Sequence, residues 1–217
     1  MSEYHKIHTV FKRDLQSRTK DIIEGEYSRP EFEYLANNTW TFTEKVDGTN
    51  IRVILKDGTV TFGGRTDAAS IPANLVSRLN ERFLTVSARQ KLAAAFPDGA
   101  VLYGEGYGPK IQKGGGLYRK DQDFVLFDVR VGRWWLLRPA VEDVAKCLGI
   151  DIVPIVGEGT IKDAVEKVRG GLTSAWGNFQ AEGLVLRPKT ELLTRGGDRI
   201  ITKIKGRDFK CNEEAKP

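Results

Sequence analysis

Three strand-like stretches follow one another in residues 39–63, whose sequence is TWTFTEKVDGTNIRVILKDGTVTFG. Thr39–Val46 alternates in polarity, as a half-buried strand does. The next two stretches, Asn50–Lys56 and Thr59–Gly63, flank Asp57-Gly58, a dipeptide typical of two-residue hairpin turns. The segment therefore predicts antiparallel strands joined by tight turns.

The rest of the chain predicts helices placed between further strands. Helices are expected over Ile71–Phe83, over Ser87–Phe96 with Ser87 as its cap, over Pro139–Leu148 before Gly149, and over Ile161–Arg169. Strands are expected at 100–103, 123–129, 132–137, 152–156, 183–187 and 199–205, and the first forty residues are expected to be irregular. Because the strands outnumber the helices and adjoin in hairpins, the pattern predicts an antiparallel α+β fold.

Composition places the chain among ordinary globular proteins. It has 217 residues, of which 40% are hydrophobic and 29% charged, and a net charge of +5 that mildly favours a polyanionic partner. No apolar run approaches the length of a membrane span, and the N-terminus lacks the apolar core of a signal peptide. The two cysteines, Cys147 and Cys211, do not have the spacing of a metal or redox motif. We therefore expect a cytoplasmic, intracellular monomer with no membrane partner.

The first chemically informative stretch is Glu44-Lys45-Val46-Asp47-Gly48. A lysine before an Asp-Gly turn is common in plain hairpins, so the stretch alone favours no function. As a nucleophile, Lys45 would need help, because only about 0.04% of a free lysine is neutral at pH 7. Neighbouring cations or burial would have to lower its pKa.

Two glycine-flanked charges follow. Arg65 in Gly63-Gly64-Arg65-Thr66 could bind a phosphate or a sugar, because glycines allow a close approach of the backbone and a guanidinium can donate two hydrogen bonds. Glu105, between Gly104 and Gly106, could accept from a ribose hydroxyl or hold a metal-bound water. The alternative for both is a surface turn with a solvated charge.

The last two stretches lie near the end of the chain. Glu182 precedes the apolar Gly183–Arg187, which is where a metal site could be built or where a strand simply becomes exposed. Lys203 and Lys205 are two apart in a predicted strand and therefore share one face, with Ile204 on the other. They could line an anion site or form a basic outer surface.

Taken together, these stretches resemble the motifs of the covalent nucleotidyltransferases, the ATP-dependent DNA and RNA ligases and the capping enzymes. Lys45-Val46-Asp47-Gly48 is similar to their KxDG nucleophile motif. The other motifs are resembled, in the family's order, by Gly64-Arg65-Thr66, Gly104-Glu105-Gly106, Asp123–Val129, Glu182-Gly183 and Lys203-Ile204-Lys205. The resemblance implies an ATP-grasp-like, ligase-type α+β domain with two main antiparallel sheets, flanking helices and the nucleotide between the sheets.

The resemblance also implies a role for each residue. Lys45 would attack ATP and carry AMP, while Lys203 and Lys205 neutralise phosphate oxygens and Glu182 completes the catalytic set. Phe127 would stack on adenine, with Phe124 as the alternative, and Arg65 and Glu105 would fix the ribose or the 5′-phosphate. Glu182 and Asp47 would hold Mg²⁺ or Mn²⁺.

Two positions favour the branch of RNA ligases similar to RNA ligase 2. Asn50 stands where DNA ligases and capping enzymes carry arginine, and Glu44 resembles the residue of that branch that reads the adenine amino group. The expected substrate is a nucleic acid with 5′-phosphate and 3′-hydroxyl ends, RNA before DNA or a hybrid, sealed at nicks. A basic stretch, Lys110–Lys120, could touch its backbone or be a solvated loop.

The domain expectation is one catalytic domain over residues 1–210 with a flexible tail at 211–217. Only 12 residues follow Lys205, so neither an OB-fold nor a helical C-terminal domain is expected in this sequence. Three alternatives remain open at this point: a DNA ligase core, a GTP-dependent capping-type guanylyltransferase, and a non-catalytic nucleic-acid-binding module.

Overall fold

A computed structural model describes residues 3–18 and 20–209, so the predicted tail at 211–217 and Cys211 lie outside the described residues. The strands are β1 (His8–Thr9), β2 (Phe11–Arg13), β3 (Ile22–Tyr27), β4 (Trp40–Glu44), β5 (Thr49–Lys56), β6 (Thr59–Gly63), β7 (Ala100–Tyr107), β8 (Asp123–Val131), β9 (Trp134–Trp135), β10 (Asp151–Ile152), β11 (Ile155–Gly159), β12 (Gly183–Pro188) and β13 (Thr202–Lys205). The helices are α1 (Pro30–Tyr34), α2 (Ala73–Phe83), α3 (Val86–Ala95), α4 (Gly115–Tyr118), α5 (Arg138–Leu148) and α6 (Ile161–Arg169), and Gly206–Asp208 forms a 3-10 turn. No helix in these described ranges is both long and apolar enough to span a bilayer.

The chain divides into two compact units. One, here called the Asp47 unit, contains the residues up to His5 and Asp47–Val153. The other, the Lys45 unit, contains Lys6–Val46 and the described residues from Pro154 onward. The expectation of one catalytic domain over residues 1–210 stays a prediction.

The Asp47 unit is built on a six-stranded sheet in the order β10-β8-β7-β5-β6, with β9 paired to β8. All pairs are antiparallel except β10 with β8. Leu75, Leu79 and Phe83, the stripe predicted for α2, are 0% exposed and pack with α3 and α5 on one face of this sheet. The opposite face carries the alternate residues of β5 and β7.

The Lys45 unit is built on a five-stranded sheet in the order β1-β13-β12-β4-β11. Only β1 and β13 are parallel in it. Trp40 and Phe42 of β4 face the apolar side of α6, whereas Thr41 and Thr43 point to the other face. The predicted α+β fold with two main antiparallel sheets is thus confirmed.

Several local expectations were wrong. The first forty residues are not irregular, because they contain β1, β2, β3 and α1. The cap of α3 is Thr85, whose side chain accepts from the Ala88 N–H, and not Ser87. The single strand expected at 152–156 is two short strands, β10 and β11, which pair in different sheets.

Candidate functional site

Lys45 directly follows β4 in the Lys45 unit. Its backbone N–H donates to the Gly183 carbonyl oxygen at 2.9 Å, which fixes the chain end of β4 beside β12. Because the side chains of a strand alternate, Lys45 continues the side of Thr41 and Thr43, opposite the core. The strand that buries Trp40 and Phe42 therefore presents Lys45 on its other face.

Glu182 holds two ammonium groups. Its Oε2 accepts from Lys45 Nζ at 2.6 Å and its Oε1 from Lys205 Nζ at 2.5 Å. The side chains of Glu182, Lys45 and Lys205 are only 15%, 21% and 13% exposed, so the ion triad is shielded from water. Burial raises the pKa of the Glu182 carboxyl, but the two ammonium groups outweigh burial and hold that pKa below its ordinary value.

Lys203 and Lys205 lie on the same face of β13, as their spacing predicts. Lys205 pairs with Gly183 and Lys203 with Val185, while Ile204, 2% exposed, points into the core. The sheet thus carries a basic face opposite α6. Sequence spacing alone indicated this face, but not that Glu182 would bind one of the two lysines.

Glu44 faces the other way from Lys45 and is 1% exposed. Its Oε1 accepts from the Ser174 hydroxyl at 2.6 Å and its Oε2 from the Ala175 N–H at 2.7 Å. Burial raises the pKa of the Glu44 carboxyl above its ordinary value, against the lowering effect of these two hydrogen bonds. Glu44 therefore fixes the 174–176 segment, an arrangement that the sequence did not indicate.

Asn50 and Glu105 are direct partners across β5 and β7 in the Asp47 unit. Both point to the face of this sheet that the helices do not cover. The Asn50 Oδ1 atom is buried and has no hydrogen-bond partner among the described residues. A buried acceptor without a donor is costly, so the position fits a ligand that brings one.

Gly104 and Gly106 occupy the interior of β7, not a turn, and this corrects the sequence interpretation. A Cβ at Gly104 would lie 2.3 Å from the Phe124 ring, and one at Gly106 would lie 2.4 Å from Leu75. The two glycines therefore make room for the core beneath them.

Arg65 is exposed and lies just beyond β6. The loop that carries it is held by Arg52, a residue that the sequence analysis missed. Arg52 is 1% exposed, donates from Nε to the Gly64 carbonyl oxygen at 2.8 Å, and pairs with Asp67 at 2.7 Å. Its one signal in the sequence was a charge between the apolar residues Ile51 and Val53 of β5.

Phe127 and Phe124, the two candidates for stacking on adenine, differ in their burial and contacts. Phe124 is 1% exposed and packs edge-on against Phe83 in the core, so its ring has no free surface on which a base could stack. Phe127 is half-buried and contacts the Tyr4 ring edge-on, with centroids 5.1 Å apart. Of the two aromatic candidates, only Phe127 keeps surface for a ligand.

The residues expected to hold a metal belong to different units, Glu182 to the Lys45 unit and Asp47 to the Asp47 unit. Within the described ranges, no group of three or more His, Cys, Asp or Glu side chains could bind a metal ion. The Asp47 backbone N–H donates to the Tyr118 hydroxyl at 3.2 Å.

Comparison with known proteins identifies the family. The model of the RNA ligase family matches residues 38–205, which is most of the chain and includes the stretch from β4 to β13. The protein therefore belongs to the RNA ligase family. No curated protein sequence matches the chain significantly.

Solved structures of mutants of an RNA ligase from Naegleria gruberi have the same fold. One mutant, with ATP and Mn, superposes with a TM-score of 0.69 at 18% identity, over 100% of this chain and 59% of that one. A second, in the apo form, gives 0.65 at 20% identity, over 98% and 61%. A third, with AMP and Mn, gives 0.65 at 19% identity, over 99% and 60%. The chain spans about three fifths of the length of these proteins, and at such identity the likeness concerns the fold.

Proposed function

We propose that this chain is the nucleotidyl-transfer domain of an ATP-dependent RNA ligase that joins 5′-phosphate to 3′-hydroxyl ends through AMP carried on Lys45. The observation that carries the proposal is the shielded triad of Lys45, Glu182 and Lys205 at the end of β4. Membership of the RNA ligase family supports it.

In the first step, Lys45 Nζ forms a bond to the α-phosphorus of ATP and pyrophosphate leaves. AMP then passes from Lys45 to the 5′-phosphate of the nucleic acid. Finally the 3′-hydroxyl oxygen attacks that phosphate and AMP leaves. Each step is a phosphoryl transfer, so positioning and charge neutralisation carry most of the catalysis.

The Lys45 ammonium forms an ion pair with the Glu182 carboxylate. Glu182 stabilises the charged ammonium form, which is not nucleophilic. Lys205, on the other oxygen of the same carboxylate, competes for that negative charge. Attack on the α-phosphorus requires the neutral amine, so the ion pair between Lys45 and Glu182 must open before the first step.

Residues of the Asp47 unit are the candidates for contacts with the base and the ribose of ATP. Asn50 Oδ1 offers a buried acceptor without a partner in the described residues, and half-buried Phe127 offers a stacking surface. Arg65 and Glu105 are the candidates for the ribose or the 5′-phosphate. A stacked base on such an aromatic contributes about 1–3 kcal/mol.

Glu182 is the carboxylate of the Lys45 unit that we propose to hold a divalent ion together with oxygen atoms of ATP and water, and Asp47 is the candidate carboxylate of the Asp47 unit. The carboxylates suit Mg²⁺ or Mn²⁺, and the lack of a larger acidic cluster in the described residues leaves most ligand positions to phosphate and water. Bound there, the ion would supply neutralisation of the phosphate charge.

ATP is expected to label the protein at least about tenfold better than GTP, because a carboxylate accepts from the adenine amino group but meets a carbonyl on guanine. The measurement is transfer of radioactive label from each nucleotide to the protein. Equal labelling by both would contradict the prediction and favour a capping-type enzyme.

The Glu44→Gln variant tests whether Glu44 contributes to that choice. Glutamine loses the acceptor for either Ser174 or Ala175, so the matched control is Ser174→Ala, which removes one of the same hydrogen bonds. If both variants change labelling equally, Glu44 acts only by holding the 174–176 segment. A loss of base preference in Glu44→Gln alone supports direct recognition.

Nicks are expected to be sealed faster than free single strands, because a template holds the two ends together and spares the enzyme that entropic cost. Sealing should fall steeply with salt, since it depends on phosphate contacts, and self-adenylylation should fall much less. The test is a panel of nicked duplexes and single strands with RNA or DNA at either end, across a salt series. Equal rates on nicks and single strands, or a parallel loss of both steps with salt, would contradict this substrate assignment.

The same panel tests the function itself. Joining that requires RNA at one or both ends supports an RNA ligase. Joining of all-DNA nicks alone indicates a DNA ligase core, and label transfer without any joining indicates a different acceptor.

A further inference from the structure

The segment of residues 108–120, here called the basic loop, carries three exposed lysines, Lys110, Lys113 and Lys120. None of the three forms an ion pair with an acidic side chain of the described residues. Arg119, in the same loop, does, because it contacts Asp121 at 2.7 Å and Asp123 at 2.9 Å. Three uncompensated positive charges thus lie within eleven residues.

The basic loop is fixed at its base. Gly115 packs so closely on Gly108 that a Cβ at Gly115 would lie 1.9 Å from the Gly108 carbonyl oxygen. Gln122 Nε2 donates to the Pro109 carbonyl oxygen at 2.8 Å, and the Arg119 ion pairs hold the far end. The lysines therefore project from an ordered support, which limits the entropy lost when they bind a partner.

The basic loop also rests on the turn that follows the proposed nucleophile. Tyr118, 8% exposed, accepts from the Asp47 N–H at 3.2 Å, and Gln112 Nε2 donates to the Gly48 carbonyl oxygen at 3.1 Å. Asp47 is two residues after Lys45 in the chain. Phosphates bound by the lysines would consequently be held beside the Asp47-Gly48 turn.

We infer that the basic loop binds the phosphate backbone of the nucleic acid whose end is being joined, and so positions that end at the Asp47-Gly48 turn. The inference rests on the proposed function. Uncompensated lysines on a rigid support are suited to neutralising successive phosphates, and each such contact releases condensed counterions. Leu117, 61% exposed among the lysines, adds an apolar contact for a sugar or a base.

The test compares two triple variants of equal charge. Lys110→Gln/Lys113→Gln/Lys120→Gln removes the loop lysines. The control, Lys56→Gln/Lys146→Gln/Lys162→Gln, removes three exposed lysines elsewhere, of which Lys56 is at the opposite end of β5 from the Asp47-Gly48 turn. Binding of a fluorescent nicked RNA duplex with a 5′-phosphate is measured by anisotropy across a salt series, without ATP.

The loop variant is expected to bind at least about tenfold more weakly at moderate salt, with a log–log salt slope shallower by about 2 to 3, whereas the control should stay near wild type. Equal losses in both variants, or no loss in the loop variant, would overturn the inference. Lys113→Glu offers a second check, because charge reversal should weaken binding more than Lys113→Gln. Thermal melting of every variant reports folding.

Two further results would distinguish a protein partner of the basic loop from a failure of the proposed function. An acidic peptide of equal charge that competes as well as the RNA would point to a protein partner and overturn the assignment. Failure of the wild type to take up AMP from ATP would overturn the proposed function instead, because the binding measurement requires no catalysis.

Discussion

Lys45→Ala is expected to remove the covalent AMP adduct completely. Wild-type protein incubated with ATP and a divalent metal should gain the mass of one AMP, because Lys45 directly follows β4 and lies beside Glu182. Alanine has no amine that could attack the α-phosphorus, so the phosphoramidate bond of lysyl-AMP cannot form. Intact-protein mass spectrometry measures the adduct, and peptide mapping locates it.

Lys45→Arg is the matched control for this change. Arginine keeps a positive charge next to Glu182 but stays protonated at any usable pH, so it cannot attack phosphorus. An unchanged melting temperature together with a lost adduct would show that the loss is chemical. An adduct that persists in either variant, or that maps to Lys203 or Lys205, would refute the assignment of Lys45.

Glu182→Gln should have the second largest effect. The amide keeps the shape of the side chain but removes the charge that two ammonium groups share at 2.6 and 2.5 Å. We expect adenylylation to fall by at least about a hundredfold, because the amide can neither serve as the proposed metal ligand nor hold Lys45 and Lys205 in place. The free energy of unfolding at pH 7 should fall by about 1–3 kcal/mol, because the partners lie in a partly buried site.

This effect on stability should depend on pH in a defined direction. Since the pKa of folded Glu182 lies below its ordinary value of 4.5, the stabilisation is fully present above that value. It is lost as the pH falls through the lowered pKa. The difference in unfolding free energy between wild type and Glu182→Gln should therefore be constant near neutrality and shrink in acid. A difference that persists unchanged into strong acid would contradict the triad.

Glu158→Gln provides the control. Glu158 also binds a lysine, Lys189, at 2.7 Å, but the side chains of Glu158 and Lys189 are 42% and 61% exposed. An exposed pair of this kind contributes less than about 1 kcal/mol. A similar loss of activity in Glu182→Gln and Glu158→Gln would contradict the specific role proposed for Glu182.

The sequence predicted the fold wherever one signal dominated. The hairpin at Asp57-Gly58 has positive φ at both residues, 49° and 71°, as the two-residue turn requires. The helix α6 matched its predicted bounds, because Thr160 and Asp163 form a capping box before the apolar stripe. The strands β1 and β2 were missed because two and three residues are too few for an alternation to show, and β3 was missed because its sequence, IIEGEY, does not alternate between polar and apolar residues.

Within the candidate site, motif order located the residues but not their contacts. That Glu44 is buried against Ser174, and that Glu182 binds Lys45, depends on pairing between residues about 130 positions apart. Such pairs leave no local pattern in one sequence. The roles of the individual residues stay predictions until the variants above are measured.

The packing around the motif glycines changes how a saturation-mutagenesis library of this protein should be interpreted. At Gly183 a Cβ would lie 2.0 Å from the Ile204 carbonyl oxygen, so any other residue pushes β13 away from β12. Gly104 and Gly106 are constrained in the same way by the core. Substitutions at these glycines would score as inactive although glycine contributes no functional group to the chemistry. If cellular abundance is scored beside ligation, the glycine variants should lose both, whereas Lys45 variants should remain abundant and lose ligation alone.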